Sequence, residues 1–274
     1  MVPVVTVAAP VQTTEPLSGR PPVEWKDLVH LTKLEIAREL TISLPWLAAS
    51  WILSAQHIYL PALACSFMFF LTGLRQVHNA YHYALGLPRW LTEWVMAGLS
   101  VLMLGSMHAV QINHLRHHRH CMDDEDVEAM SARLPAWKAI AIGPLFPLRL
   151  HQKALEVANT RQRRWIIGEL AANAAVLAVA FAVLDLWWLR YHIGAMAAGQ
   201  CLTAFFAVWT VHHDCEPRRV FARTIRSRLK ALVTYNMFFH IEHHLFPAVP
   251  TCKLPILAER LDAVAPEWGS RKVF

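Results

Sequence analysis

The sequence predicts an all-α membrane protein in which four membrane-crossing helices form two hairpins beneath a helical cap. Three observations support this prediction. The 274 residues are 55% hydrophobic and carry a net charge of +6, and their mean hydropathy is +0.30. Two long apolar stretches are separated by basic segments, and three histidine clusters flank them. This combination is typical of a multi-pass membrane protein with basic loops rather than of a soluble domain.

The chain begins with a proline-rich stretch that carries little charge. Five prolines fall within the first 22 residues, and no basic segment is followed there by a continuous apolar one. A cleaved secretory signal is therefore not expected. We predict a flexible cytosolic segment over residues 1–35, followed by one membrane domain over residues 36–274.

The first predicted hairpin lies in the apolar run from Thr41 to Leu74, which contains no Asp, Glu, Lys or Arg. The run is too long for one helix of about 20 residues, and it is interrupted near Pro61. Two helices over roughly residues 38–56 and 59–77 fit best.

The second predicted hairpin lies between Trp165 and Val211 and bends near Asp185. Its arms are predicted over roughly residues 165–184 and 191–211. The apolar segment from Trp90 to Met107 is predicted not to span, because one more crossing would place the second histidine cluster opposite the first.

Loop charge predicts the orientation of this multi-pass integral membrane protein. Basic residues concentrate before the third predicted span and after the fourth, whereas the hairpin tips contain only Arg190. By the positive-inside rule, both termini and all three histidine clusters are expected to be cytosolic. The cap would comprise residues 78–160 and 212–274.

The histidine clusters have spacings that place several imidazole rings on one helix face. They read HxxxH, HxxHH and HxxHH, and two further histidines end the fourth predicted span. Imidazole is the commonest metal ligand in proteins, and so many rings fit two metal ions better than one. The candidate ligands are His78, His82, His114, His117, His118, His212, His213, His240, His243 and His244.

The five cysteines show no CxxC pair and no zinc-finger spacing, so we assign them no chemistry. The absence of cysteine from the clusters argues against iron–sulfur and thiolate-zinc sites. Imidazole ligands suit iron, zinc, copper and nickel, so ligand type alone does not name the metal. The isolated residues His30, His57, His151 and His192 are interpreted as ordinary loop or interface residues, and His108 and His120 fall off the pattern.

The three clusters in this order resemble the histidine boxes of the membrane fatty-acid desaturase/hydroxylase superfamily. The third box continues as Leu245-Phe246-Pro247 and is similar to the HxEHHLFP box of acyl-lipid desaturases. The resemblance extends over about residues 35–270. It implies a non-haem centre of two iron ions under the cap, with O2 as co-substrate, acting on an unactivated C–H bond of a lipid acyl chain.

The resemblance also implies a further ligand between the fourth span and the third box. His212 and His213 both match that place, and the sequence does not choose between them. Asn236, four residues before His240, is a candidate for a water-mediated partner of the metals. Asp214 and Glu242 are candidates to orient ligand rings, whereas the acidic run from Asp123 to Asp126 is interpreted as a solvated turn.

The chain contains no flavin, haem or iron–sulfur motif, so the resemblance implies a separate electron donor such as ferredoxin with its reductase. The basic run from Arg218 to Lys230 would dock an acidic donor, or instead set topology and contact anionic lipid. The expected substrate is a lipid or acyl chain entering from the bilayer, and no nucleic-acid partner is expected.

Several functions share the predicted features. The favoured one is an acyl-chain desaturase. A carotenoid ketolase or hydroxylase, or a lipid hydroxylase, on the same scaffold is the alternative, because ligand spacing does not separate these reactions. A metal transporter would need ligands at mid-bilayer depth, and a b-type cytochrome would need facing histidines within the spans. Both are disfavoured.

Overall fold

The computed structural model describes residues 20–215 and 221–273, and within these ranges the chain is helical, with only an isolated β-bridge between Thr224 and Lys272. The α-helices, in chain order, are α1 Lys33–Thr41, α2 Leu44–Ala55, α3 Tyr59–Tyr81, α4 Arg89–Met103, α5 Met107–His120, α6 Ala136–Ala141, α7 Phe146–Val157, α8 Thr160–Ala182, α9 Trp187–Thr203, α10 Thr210–His212, α11 Arg228–Val233, α12 His240–Leu245 and α13 Leu254–Val264.

Three helical segments among the described residues are long and apolar enough to cross a membrane. They are Tyr59–Tyr81, Thr160–Ala182 and Trp187–His212, the last of which joins α9 and α10 through a π-helical segment over Ala204–Trp209. The count rises to four if the bent pair of α4 and α5 is one span. The all-α fold is confirmed, whereas the number of crossings stays between three and four.

The first predicted span, residues 38–56, is instead two short helices. Helix α1 ends at Thr41, and α2 begins at Leu44 with Pro45 in its first turn. Proline has no N–H to donate back into a preceding helix, so a continuous helix through this point would lose a hydrogen bond. The 12 residues of α2 extend about 18 Å at 1.5 Å per residue, which is short of the roughly 30 Å hydrocarbon core.

The segment between α4 and α5 turns sharply. The chain bends by 113° between the two helices, at a break that contains Gly105, and Leu104 there has a left-handed φ of 55°. Ser106 begins α5, accepting from the Ala109 N–H and donating to Glu169 Oε2 at 2.6 Å. The segment from Trp90 to Met107 was predicted not to span, and that stays a prediction, because the bent pair of α4 and α5 counts as a fourth span if it crosses as one unit.

Part of the segment over residues 20–35 packs against the C-terminal helices. Leu28 is 5% exposed within the core formed by the C-terminal helices, and the rings of Trp25 and Phe246 lie 5.4 Å apart. Arg260 binds Asp27 through two hydrogen bonds of 2.7 and 2.8 Å. The boundary at residue 36 stays a prediction, and residues 1–19 of the predicted flexible segment lie outside the described part.

Candidate metal centre

The three histidine boxes lie at helix ends that converge on one point. His78 occupies the last turn of α3 and His82 caps that helix, while the second box occupies the last two turns of α5. The third box forms the short helix α12. Each box therefore projects its rings from a helix, as the spacing predicted.

The first group of rings gathers Nε2 atoms from all three boxes. The Nε2 atom of His114 lies 3.0 Å from that of His82 and 3.1 Å from that of His118. The Nε2 atom of His118 is also 2.9 Å from that of His243. His78 joins them, with its ring centroid 4.0 Å from that of His243.

The second group is built in the same way from the other rings. The Nε2 atom of His117 lies 3.0 Å from that of His212 and 3.2 Å from that of His244. His240 completes the group, with its Nε2 atom 2.9 Å from that of His212 and 3.1 Å from that of His244. The nine rings thus divide into two adjacent groups.

The hydrogen bonds of two of these rings show which nitrogen of each is available to bind a cation. His117 donates its Nδ1 proton to Asp126 Oδ2 at 2.7 Å, and His212 donates its Nδ1 proton to the Phe221 carbonyl at 2.7 Å. In a neutral imidazole the other nitrogen is then a bare acceptor. The Nε2 atoms of the two rings face each other at 3.0 Å, a separation that suits a proton or a metal ion held between them. Two nitrogens each ~2.1 Å from one ion at a right angle lie ~3 Å apart.

Burial keeps the third box in the form that binds metal. It lowers the pKa of His240, His243 and His244 well below the ordinary histidine range, and the neighbouring imidazoles lower it further. These rings are therefore neutral at physiological pH, and neutral imidazole is the ligand form. A donor set of neutral imidazoles fits iron and the other divalent metals that imidazole suits.

Two carboxylates orient ligand rings, and neither is one that the sequence favoured. Asp126 accepts from His117, and Glu128 accepts from His114 Nδ1 at 3.0 Å. Although burial opposes it, the His117 hydrogen bond lowers the pKa of Asp126, whereas burial raises the pKa of Glu128 to about 7. The interpretation of the acidic run as a solvated turn is wrong for Asp126, which is 2% exposed.

The two carboxylates proposed from sequence for this role have other contacts. Glu242 is buried beside the third box but pairs with Arg226 at 2.7 Å and accepts from Thr224 Oγ1 at 2.6 Å. The Asp214 side chain is 81% exposed and lies 3.4 Å from Arg223. Neither forms a hydrogen bond to a ligand ring among the described residues.

The structure places His212 in the second group and His213 outside both. His213 stacks on Trp209 with ring centroids 4.0 Å apart, and its Nδ1 atom bonds the Trp209 carbonyl at 2.8 Å. The π-helical segment Ala204–Trp209 lies directly before these residues. Its i→i+5 bonding changes which side chain faces a given direction downstream, so α-helical periodicity from sequence does not choose between them.

Asn236 is not on the helix that carries His240, which corrects the argument made for it from sequence. It was expected on the same helical face as His240, but α12 begins only at His240. Asn236 stands in a turn with a left-handed φ of 63°. Its side chain lines a different cavity, together with Arg75 and Tyr235.

The remaining sequence candidates also have defined places. His108 pairs with Glu169 at 2.6 Å and is not in either group. Cys121, to which we assigned no chemistry, lies beside the second group with its Sγ atom 4.0 Å from His117 Nε2. In the basic run, Arg226 is held by Glu242 and Asp262, and Arg218 and Arg219 lie outside the described residues.

An apolar cavity leads toward the first group. Its volume is about 590 Å³, and α3, α9 and the π-helical segment form most of its wall. A smaller cavity continues from it past Ala207 and Thr203 and is lined by His78, His114 and His240. The arrangement can hold a long apolar molecule with one part beside the imidazoles.

Residues 54–272 match the sequence model of the fatty acid desaturase family. The chain is similar to beta-carotene ketolase of Paracoccus sp. (strain N81106 / MBIC 01143), with 30% identity over 234 residues that cover 77% of this chain and 86% of that protein.

The chain is also similar to two forms of sphingolipid delta(4)-desaturase/C4-monooxygenase DES2. The Bos taurus protein is 29% identical over 174 residues, which cover 57% of this chain and 48% of that protein. The Homo sapiens protein is 26% identical over 212 residues, which cover 70% of this chain and 59% of that protein. The matched regions thus span about half to three-fifths of these two relatives.

Proposed function

We propose that this chain, which belongs to the fatty acid desaturase family, is an O2-dependent oxidoreductase that introduces a double bond into a lipid acyl chain. The family and its desaturase and monooxygenase relatives support the coarser class, a lipid-modifying oxidoreductase of the desaturase/hydroxylase type. The desaturation itself is the proposal.

The observation that carries the proposal is the pair of imidazole groups at the end of an apolar cavity. Nine imidazole rings with Nε2 separations near 3 Å support two bound metal ions, and we propose that both are iron. Iron would supply the chemistry that no protein side chain offers, namely activation of O2 toward an unactivated C–H bond. The residues that would hold it are His78, His82, His114, His118 and His243 for one ion, and His117, His212, His240 and His244 for the other.

The protein's own residues would position the substrate and protect the reaction. The cavity walls are nearly all apolar, so they bind a hydrocarbon chain by burying it and exclude water from the centre. Holding one part of the chain against the imidazole groups selects which C–H bonds react. Asp126 and Glu128 fix the ring orientations of His117 and His114, which keeps Nε2 free to bind metal.

The direct test is expression in a bacterial host together with a ferredoxin system, followed by mass spectrometry of total lipids. Acyl chains that lose two hydrogen atoms, absent in a His243→Ala control, are the expected result. Acyl chains that instead gain one oxygen atom would show that the reaction is hydroxylation and not desaturation. Unchanged lipids in the presence of iron-loaded protein would contradict action on these acyl lipids.

A second candidate function is oxygenation of a carotenoid. It is favoured by the similarity to a beta-carotene ketolase, which extends over 86% of that protein. The same cells supplied with beta-carotene distinguish the two functions. A ketone or hydroxyl product on the carotenoid, with unaltered acyl chains, would favour this candidate over the desaturase.

The orientation and the electron donor belong to the proposal as well. We place the histidine boxes and both termini in the cytosol, on the basic side, where a soluble donor such as ferredoxin with its reductase would reach the centre. Arg228 is a candidate contact because its side chain is 97% exposed. Thiol labelling of single cysteines introduced at Arg164 and at Asp185 tests the orientation, since the two should react from opposite sides.

A further inference from the structure

A separate cavity of about 330 Å³ lies between the first helices and the turn before α12. It does not contain any of the box histidines. Its wall combines two arginines and an amide with apolar side chains, and no carboxylate lines it. The lining residues are Arg38, Ile42, Met68, Arg75, Leu232, Val233, Tyr235, Asn236 and Cys252.

Arg75 lines this cavity and carries two hydrogen-bond donors that no described residue uses. Its side chain is 3% exposed, and its Nη2 atom donates to Glu39 Oε1 at 2.7 Å. The other Glu39 oxygen accepts from Asn79 Nδ2 at 3.0 Å, so the carboxylate is satisfied. The Nε and Nη1 atoms of Arg75 have no partner among the described residues. Unpartnered buried donors of a charged group are costly, and the guanidinium fork matches an oxyanion with two oxygens.

Arg38 adds a second positive charge to the same wall. It is exposed and pairs with no carboxylate in the part of the chain that the structure describes. Glu35, on the same helix, is instead bound to Lys253. The cavity therefore presents two guanidinium groups and the Asn236 amide, and the carboxylate bound to Arg75, that of Glu39, already has two donors.

The surroundings indicate that the anion is attached to an apolar chain. Met68 and Val233 line both this cavity and the large apolar cavity, so the two are adjacent. Leu232 and Val233 are 71% and 57% exposed at the rim, as expected for a surface that meets lipid rather than water. A small free anion would use none of these apolar surfaces.

We propose that this cavity binds an oxyanion carried by an acyl chain, with the anion at Arg75 and Arg38 and the chain in the adjacent apolar cavity. The inference rests on the proposed function and names its substrate class, an acyl lipid with a phosphate or a carboxylate. A carotenoid hydrocarbon has no group for these arginines.

The test measures binding rather than turnover. The iron-loaded full chain in nonionic detergent is mixed with dodecyl phosphate, dodecanoate, dodecanol or inorganic phosphate, and native mass spectrometry counts retained ligands. Arg38→Gln and Arg75→Lys are compared with Arg164→Gln, an exposed arginine on α8 outside this cavity. Lysine keeps the charge beside Glu39 but loses the Nε and Nη1 donors. Arg38→Gln removes a side chain without a carboxylate partner, so it tests the site even if Arg75→Lys misfolds.

The expected result is retention of dodecyl phosphate or dodecanoate at least ~10-fold above dodecanol, falling about tenfold in both cavity variants and unchanged in Arg164→Gln. Whichever ligand is retained identifies a phosphate headgroup or a free acid. Equal retention of dodecanol, or full retention in Arg38→Gln, would overturn the proposal. If inorganic phosphate is retained to the same extent as dodecyl phosphate, the inference that the bound anion is attached to an apolar chain is wrong. Because this experiment measures binding, it can fail or succeed independently of the test for desaturation of acyl chains in cells.

Discussion

Asp126 Oδ2 lies 2.7 Å from His117 Nδ1, and both side chains are 1% exposed. The same carboxylate also accepts the Met122 and Ala129 N–H groups at 2.9 and 3.1 Å. The backbone turn that follows α5 therefore fixes the position of the Asp126 carboxylate, and the carboxylate fixes the orientation of the His117 ring. The arrangement sets the tautomer of His117, because a carboxylate at Nδ1 leaves Nε2 unprotonated.

We expect Asp126→Asn to weaken metal binding at the second group. An asparagine amide that faces Nδ1 with its NH2 group would force the ring proton onto Nε2, where it blocks the metal. Loss of such a partner costs ~10–100-fold in metal affinity or activity. The measurement is iron per chain after dialysis against a weak chelator. Asp124→Asn, an exposed residue of the same run, is the control, and equal iron in both variants would contradict the role of Asp126.

Replacing His212 and His213 separately tests the assignment of the second group. His212→Ala removes a ring with Nε2 contacts to His117 and His240, so we expect it to bind about one iron ion fewer per chain than the wild type. His213→Ala removes the stacking on Trp209 and the hydrogen bond to the Trp209 carbonyl, and it should retain both ions. Iron analysis with circular dichroism of each variant checks this, and the opposite pattern would exchange the two roles.

The convergence of the three boxes was predictable because it depends on local spacing. HxxxH and HxxHH place their rings on one face of any helix, and the apolar stretches place those helix ends together. The choice of His212 was not predictable, since the π-helical segment that precedes it has no simple sequence signal. The Asp126 contact was missed because the residue lies in an acidic turn, where sequence pattern alone indicates solvation.

The errors in the fold have similar causes. Pro45 indicates that residues 38–56 do not form one helix. The prediction of a single helix rests on the hydropathy of this segment instead. The turn holding Asn236 was harder to foresee, because two consecutive residues, Tyr235 and Asn236, adopt positive φ angles of 51° and 63°. Positive φ angles are uncommon in residues other than glycine. The four-residue spacing between Asn236 and His240 therefore suggested one helix where the chain forms a turn.

Removal of metal is expected to destabilise the protein. Without a bound metal, His117 and His212, whose Nε2 atoms lie 3.0 Å apart, lose the ligand that links them to the other rings of the second group. A metal present at ~100 times its dissociation constant contributes about 2.7 kcal/mol, and each kcal/mol shifts Tm by roughly 2–4 °C in a chain of this size class. Tm should therefore fall by ~5–10 °C on chelation and recover with Fe²⁺.

A variant already lacking the site serves as control for that experiment. His117→Ala should have a lower Tm than the wild type, and its Tm should respond less to chelator and to added Fe²⁺. Thermal unfolding in detergent, followed by circular dichroism, gives both values. A chelator effect of the same size in the wild type and the variant would show that it acts elsewhere on the protein.

Ala207 lies where the two connected cavities meet, so its size should control access to the metal centre. It lines both the large apolar cavity and the smaller one that reaches His78 and His240. Ala207→Phe would fill this neck while leaving every proposed ligand in place. We expect activity to fall by at least ~10-fold with iron content unchanged, because a misplaced substrate loses the positioning that the reaction needs. Overpacking costs about 1–3 kcal/mol, so a small decrease in Tm should accompany the loss.

The matched control is Ala178→Phe on α8, an exposed position outside the cavities that hold His78 and His240. It introduces the same side chain without narrowing the passage and should retain wild-type activity. Lipid mass spectrometry and iron analysis of both variants separate loss of access from loss of metal. If Ala207→Phe processes lipids as fast as Ala178→Phe, substrate does not pass this neck, and the route to the imidazole groups must lie elsewhere in the protein.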